Sequence, residues 1–270
     1  VAPGKYHEHL SYYGNASVTL VGSESEYGED TYVYWKNNNA WNESSRTRTN
    51  FLWQGKNLTL KNITFKSTFL RSVDGTTGND SNETFYFDSK SNLVVYNCSF
   101  LGHQDTILLG NKGGRAWFYK SLIEGDVDYI WGYIDVALFE ECLLRSVADD
   151  DKTESHIFAS RTVTKNEANK GFVLLNTEIE IDDNATKADF GRNSGADTQA
   201  SVINCSVTTD GEGFNSALWG SATSEGYRVF DLNGDIAIGY KDYGNTLNGN
   251  IIDTSTRLEG TYDISKRIFN

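Results

Sequence analysis

"NLVVYNCSF", residues 92–100, decides how the chain folds. Residues suited to a strand run into a polar position, Asn97, followed by a small residue and then by more apolar alternation. The same order recurs in "NLTLKNITF" (57–65), "AWFYKSLIE" (116–124), "VALFEECLL" (136–144), "FVLLNTEIE" (172–180) and "ASVINCSV" (200–207). The polar position falls at Asn62, Asn97, Lys120, Glu141, Asn176 and Asn204, at intervals of 35, 23, 21, 35 and 28 residues. The two shortest intervals set the unit, and the longer ones are that unit with a loop inserted. Such a unit is shorter than the roughly 30 residues of a strand–helix–strand crossover, and it shows no helical period. It fits one coil of a right-handed parallel β-helix, whose coils stack about 4.8 Å apart and touch only their neighbours. The expected fold is therefore all-β, with residues 1–270 forming a single-domain right-handed parallel β-helix.

The repeat also gives meaning to the small residues. Cys98, Cys142 and Cys205 each follow the polar position, and Ile63, Ser121 and Thr177 share their phase. A small-residue ladder inside the stack is expected. Three cysteines without CxxC spacing indicate neither a disulfide framework nor a zinc site. The asparagines before them suit a turn in the left-handed region. With one proline and 25 glycines, turns rely on Gly, Asn and Asp. Several N-x-S/T triplets occur, including Asn15, Asn42 and Asn57; they would matter only in a eukaryotic secretory route, and those inside repeat strands read as turn asparagines.

Composition narrows the function. Hydrophobic residues make up 38% and charged residues 23%, which suits a folded chain. Aromatics reach 13%, suiting either a carbohydrate-facing groove or rings stacked in the core. The net charge of −13, without a basic patch, argues against nucleic acid. It also disfavours polyanionic ligands relative to neutral ones. No run of 18 apolar residues is present, so no membrane span is expected. The abrupt opening on "VAPGKYHEHL" leads us to expect a leader and an initial strand or cap upstream. A monomer is the default for a coil stack.

Two carboxylates share a phase. Asp105 lies eight residues past Asn97, and Asp128 lies eight past Lys120. Neighbouring coils should place them side by side, where both cannot ionise freely. Splitting two such groups makes an acid and a nucleophile or base from identical side chains. Asp149 has the same offset from Glu141, but it sits in "ADDDKTES" and reads as a solvated loop residue.

These motifs carry a family resemblance. "GHQDTILLG" (102–110) resembles the GYQDTLY stretch of pectin methylesterases, and "VDYIWG" (127–132) resembles their DFIFG box. "PGKYHEHL" (3–10) is similar to GxYxE, "ADFGRNS" (188–194) to part of LGRPW, and "IGYKDYGN" (238–245) to YAEYxN. The resemblance runs along the whole chain in order, and QDT with DYIWG at this spacing is its specific part. It implies a right-handed parallel β-helix that hydrolyses the C6 methyl esters of polygalacturonate, with no metal or cofactor. It implies that Asp128 is the nucleophile, that Asp105 is the acid and then the base, that Arg192 pairs with the nucleophile, and that Gln104 donates to the oxyanion. Methyl-esterified pectin is the implied partner, and a secreted or periplasmic location follows from that polymer.

The chain departs from the family pattern at several points. The second oxyanion Gln, in QAVAL, is replaced in "ETFYF" (83–87) by Glu83, or by Asn82 if the alignment shifts by one. An ionised Glu cannot donate, so either activity is reduced, or Glu83 is held neutral, or another group donates. Asn193 and Ser194 stand where the family has Pro-Trp, and Leu108 replaces a Tyr. The candidate substrate-binding residues are Trp131, Tyr129, His103, Phe214 and Trp219, with packing as the alternative for Tyr129 and Trp219 and a rim position as that for His103. Two other functions stay open. One is a β-helix polygalacturonase or pectate lyase, although the NTD, DD, GHG and RIK set is missing and only "ADDD" (148–151) hints at calcium. The other is a weakened or inactive module that only binds polysaccharide.

Overall fold

Asn62, Asn97, Lys120, Glu141, Asn176 and Asn204 all adopt φ between 48° and 55°. Each turns the chain from a strand of one sheet into a strand of the next, so the repeat read from the sequence is the structural repeat. The computed structural model describes residues 1–75, 80–148, 153–161, 171–192, 199–214 and 240–252. Among these the chain is a right-handed parallel β-helix with three sheets of ten, seven and eight strands. One coil shows the plan. Asn92–Tyr96 lies in the eight-stranded sheet, Ser99–Leu101 in the ten-stranded sheet and Ile107–Leu109 in the seven-stranded sheet. Among the described residues pairing is parallel except where Thr246–Leu247 meets Asn250–Ile251. Helix is confined to the short turns Glu26–Gly28, Ser45–Arg48 and Arg71–Asp74 among the described residues.

Register stacks like on like. Val95, Phe118, Phe139 and Leu174 are cross-strand partners in successive coils, and all four are fully buried. Phe51, Phe85, Phe100, Phe118 and Phe139 form a continuous ring stack, with successive centroids 5.4, 5.2, 5.8 and 4.6 Å apart. Each buried phenylalanine contributes roughly 1.5–3 kcal/mol of transfer free energy. Much of the aromatic content is thus core. The cysteine phase is also interior. Cys98 N–H donates to Ser121 Oγ at 3.2 Å and Cys142 N–H to Thr177 Oγ1 at 3.4 Å. Burial pushes all three free thiols up to about 12, which leaves them unreactive.

The turn asparagines form a ladder of their own, with Asn97 Nδ2 donating to Asn62 Oδ1 at 2.8 Å. Lys120 breaks that ladder in a conformation that asparagine tolerates better. Its exposed pair with Glu141, at 3.6 Å, adds little. Lys120→Asn should therefore raise stability by about 0.5–1 kcal/mol. The check is a higher urea midpoint at an unchanged denaturant slope.

Candidate active site

The segment joining the ten- and seven-stranded sheets carries the chemistry. Phe85 pairs with Ile107 and Ile107 with Ile130, so Glu83 and Asp105, each two residues earlier than Phe85 and Ile107, occupy corresponding positions. Asp105 N–H donates to Val127 O at 3.0 Å, which sets it beside Asp128 of the next coil. Asp105 and Asp128 have φ of 66° and 53°. A register shift between Val127 and Ile130 marks an irregularity at Asp128, of the kind that re-aims a side chain. Glu83, Asp105 and Asp128 thus form a column of three buried carboxylates, exposed by 0, 9 and 6%.

Two arginines hold the ends of this column. Arg192 donates from Nε to Asp128 Oδ1 at 2.7 Å and from Nη2 to Oδ2 at 2.5 Å. Arg48 donates from Nε to Glu83 Oε2 at 2.6 Å and from Nη2 to Oε1 at 2.7 Å. Paired N–H···O bonds of this sort are made to ionised carboxylates. Arg48 is supplied by the turn Ser45–Arg48, where Ser44 Oγ caps Arg46 N–H at 3.3 Å. Its third nitrogen, Nη1, donates to Glu43 O at 2.7 Å. Asp105, in the middle, forms no ion pair among the described residues. Burial pushes its carboxyl up to about 8, and Glu83 and then Asp128 add to that, while the Ser81 hydroxyl and Arg48 pull the other way. The hydrogen bonds that Arg192 donates to Asp128 hold it more firmly protonated than a free guanidinium.

Amides flank the column. Asn82 N–H donates to Gln104 O at 3.2 Å, so these two residues stack one coil apart. Gln104 Nε2 reaches Ser81 Oγ at 3.4 Å. The Asn82 side-chain amide is buried and makes no hydrogen bond among the described residues. Of the two alignments left open for the second amide, Glu83 is committed to Arg48, and Asn82 is the residue adjacent to Gln104.

A second buried cluster braces the loop. Asp126 is fully buried, pairs with Arg71 and lies 3.2 Å from His103 Nδ1. It also accepts from Val127 N–H at 2.5 Å. Burial pushes its carboxyl up, but His103 and Arg71 outweigh that and leave it below the ordinary range. His103 is thus turned toward Asp126, on the loop before Gln104. Further along, His156 Nδ1 lies 2.8 Å from Asp189 Oδ1, and both are buried.

The expected sugar-contacting residues divide. Trp131 lies on the outer face of the seven-stranded sheet, in a column with Leu52, Tyr86, Leu108 and Ala159. The Arg161 guanidinium stands 4.7 Å over its ring. Tyr129 is a correction. It is fully buried in the core with its hydroxyl 3.3 Å from Ser146 Oγ, because the strand irregularity turns Asp128 out and its neighbour in. Phe214 also packs inside, edge-on to Phe190 at 5.6 Å. Trp219, Asp149, Asn193 and Ser194 lie outside the described residues. Arg48, Arg71 and Asp126 were not foreseen, although a carboxylate in an interior phase demands a counter-charge. A surface cavity of about 390 Å³ bordered by Arg145, Glu180 and Asp182 shares no residue with the column. No cluster of three or more metal-binding side chains occurs among the described residues.

Comparison with known proteins gives consistent matches. A family model described as pectinesterase matches residues 1–210. A pectinesterase of Ralstonia solanacearum is 29% identical over 140 residues, covering 49% of this chain and 34% of that one. A putative pectinesterase of Arabidopsis thaliana is 30% identical over 149 residues, covering 55% and 43%. The chain thus spans between a third and a half of the length of these relatives. The crystal structure of a pectin methylesterase from Aspergillus niger superposes with a TM-score of 0.73 at 20% identity, over 98% of this chain and 82% of that one.

Proposed function

We propose that this chain, which belongs to the pectinesterase family, hydrolyses methyl esters of pectin using Asp128 as nucleophile and Asp105 as proton donor. The observation that carries this reading is the unlike treatment of two adjacent acids. Asp128 is clamped by Arg192, whereas Asp105 forms no ion pair among the described residues and is raised to about 8. At neutral pH Asp105 holds a proton, and its neighbour is the one that a guanidinium orients.

The steps follow from that asymmetry. An Asp128 oxygen attacks the ester carbonyl carbon. The Gln104 and Asn82 amides donate to the oxyanion that forms, so the donor role expected at Glu83 passes to Asn82. Collapse expels the methoxy oxygen, which takes the proton of Asp105 and leaves as methanol. An acyl anhydride on Asp128 remains. Asp105, now ionised, takes a proton from water as that water attacks the anhydride carbonyl. Asp128 departs as a carboxylate, and the galacturonic acid is released. Arg192 keeps Asp128 oriented throughout. Trp131 and His103 flank the path of the polymer, while Tyr129 and Phe214 support it from the core. The polymer lies outside cells, which sets the place of action. Among the described residues no helix is long and apolar enough to cross a membrane.

The test is incubation with highly esterified pectin. Methanol and acid should appear one for one, without new reducing ends or unsaturated products. A protein that releases no methanol, or cuts the chain instead, overturns the reading. Each turnover adds a negative charge to the polymer, against a protein of net charge −13. Initial rates should accordingly fall as the substrate is de-esterified beforehand, and this effect should weaken with added salt.

A further inference from the structure

We propose that the buried Arg48–Glu83 pair is a positioning device that keeps the proton on Asp105, so that the acid of the reaction stays loaded while Asp128 is a bare carboxylate. The proposal rests on the catalytic reading above and assigns Glu83 a role other than oxyanion donor.

The column has a definite charge order. Glu83 and Asp128 stand on either side of Asp105, and each is held by two guanidinium N–H groups. Asp105 has no such partner among the described residues. A third negative charge at the centre would face like charges on both sides in a buried site, so the middle carboxyl retains its proton. The charged and titratable groups around Asp105 are Glu83 and Arg48 from the coils below, and Asp128 and Arg192 from those above. His103, on its own segment, faces Asp126 of the next coil, and Asp126 also engages Arg71. Burial raises Asp105 first, and Glu83 is the next largest cause, ahead of Asp128.

Arg48 explains how a second carboxylate is tolerated so close. Glu83 is fully buried and Arg48 is 8% exposed. The guanidinium meets Glu83 with two N–H groups, and the further contacts of Arg48 to Glu43 O and Ser45 Oγ fix the guanidinium in place. The pair is therefore a fixed negative charge beneath the acid rather than a group that reaches the ester.

The experiment compares the parent with Glu83→Gln, which keeps an oxygen for Arg48 and removes the charge. The pH profile of kcat should lose activity on its alkaline side at least one pH unit earlier than in the parent. Above that limb the variant should be about tenfold slower, whereas at acidic pH the two should agree within about threefold. A merely structural pair would lower the rate equally at all pH values and leave the limb where it was. That result, with activity retained, overturns the proposal. Titration of the Asp105 carboxyl by carbon-13 NMR in both proteins gives a readout independent of turnover. If the parent released no methanol, the catalytic reading would fall, yet an acidward shift of Asp105 in Glu83→Gln would still uphold the charge coupling. An unmoved Asp105 would reject it. Should Glu83→Gln not fold, the double variant Arg48→Met/Glu83→Gln leaves no uncompensated buried charge, and it is read in the same way.

Discussion

Asp128→Asn should release methanol from esterified pectin about 10⁴- to 10⁶-fold more slowly than the parent, the loss expected when a covalent nucleophile is removed. The substitution is nearly isosteric. Its amide oxygen can still accept from Arg192, so the strand irregularity and the column should persist. What disappears is the charge and lone pair that attack the carbonyl. The defect should fall on kcat, with KM changed little, because Trp131 and the sheet face around it are untouched. The check is methanol release under saturating substrate, with circular dichroism and a urea midpoint to show that the fold is intact. Parental rates in this variant would remove Asp128 from the mechanism.

Asp105→Asn should fail differently. Loss of a general acid costs roughly 10²- to 10⁴-fold, and the cost depends on the leaving group. Methoxide needs a proton to depart, whereas an activated aryl ester does not. Acylation of Asp105→Asn by an activated ester of galacturonic acid should therefore approach that of the parent, although deacylation stays slow because the base is missing. A burst of aryl alcohol followed by a slow steady state is the expected trace. A second effect has the opposite sign. Folding raises the Asp105 carboxyl to about 8, well above its unfolded value near 4. Between those values the folded chain holds a proton that the unfolded chain has released. Stability therefore falls as pH rises through that window. Asparagine carries no such burden, so Asp105→Asn should be more stable at pH 7, on the order of 1–4 kcal/mol. A variant that loses turnover while gaining stability cannot be explained by misfolding. Equal pH dependence of the two urea midpoints would contradict the raised carboxyl.

Much of this molecule was legible in the sequence, because a β-helix writes its period directly into the chain. Asn97 and Asn204 announced their backbone conformation, and the constant offset of eight residues placed Asp105 and Asp128 in adjacent coils. What escaped was set by contacts between coils far apart in sequence. Nothing near residue 48 signals that its guanidinium reaches Glu83, 35 positions later. Arg71 and Asp126 meet across 55. Tyr129 packs inside for a local reason. Strict alternation would point it and Trp131 the same way, but the register shift between Val127 and Ile130 breaks the alternation. Aromatic content was ambiguous from the outset, and the phenylalanine stack resolved much of it in favour of the interior.

The arginine that clamps Asp128 arrives 64 residues after it. A chain threading out from its N-terminus would wind Arg48, Glu83, Asp105 and Asp128 into place in that order, and each coil would template the next. Until residue 192 docked, the growing protein would hold the Asp128 carboxyl without its guanidinium. On the proposed mechanism the clamp closes late, and a nascent fragment that ends before the strand Lys187–Gly191 should be wound but inert.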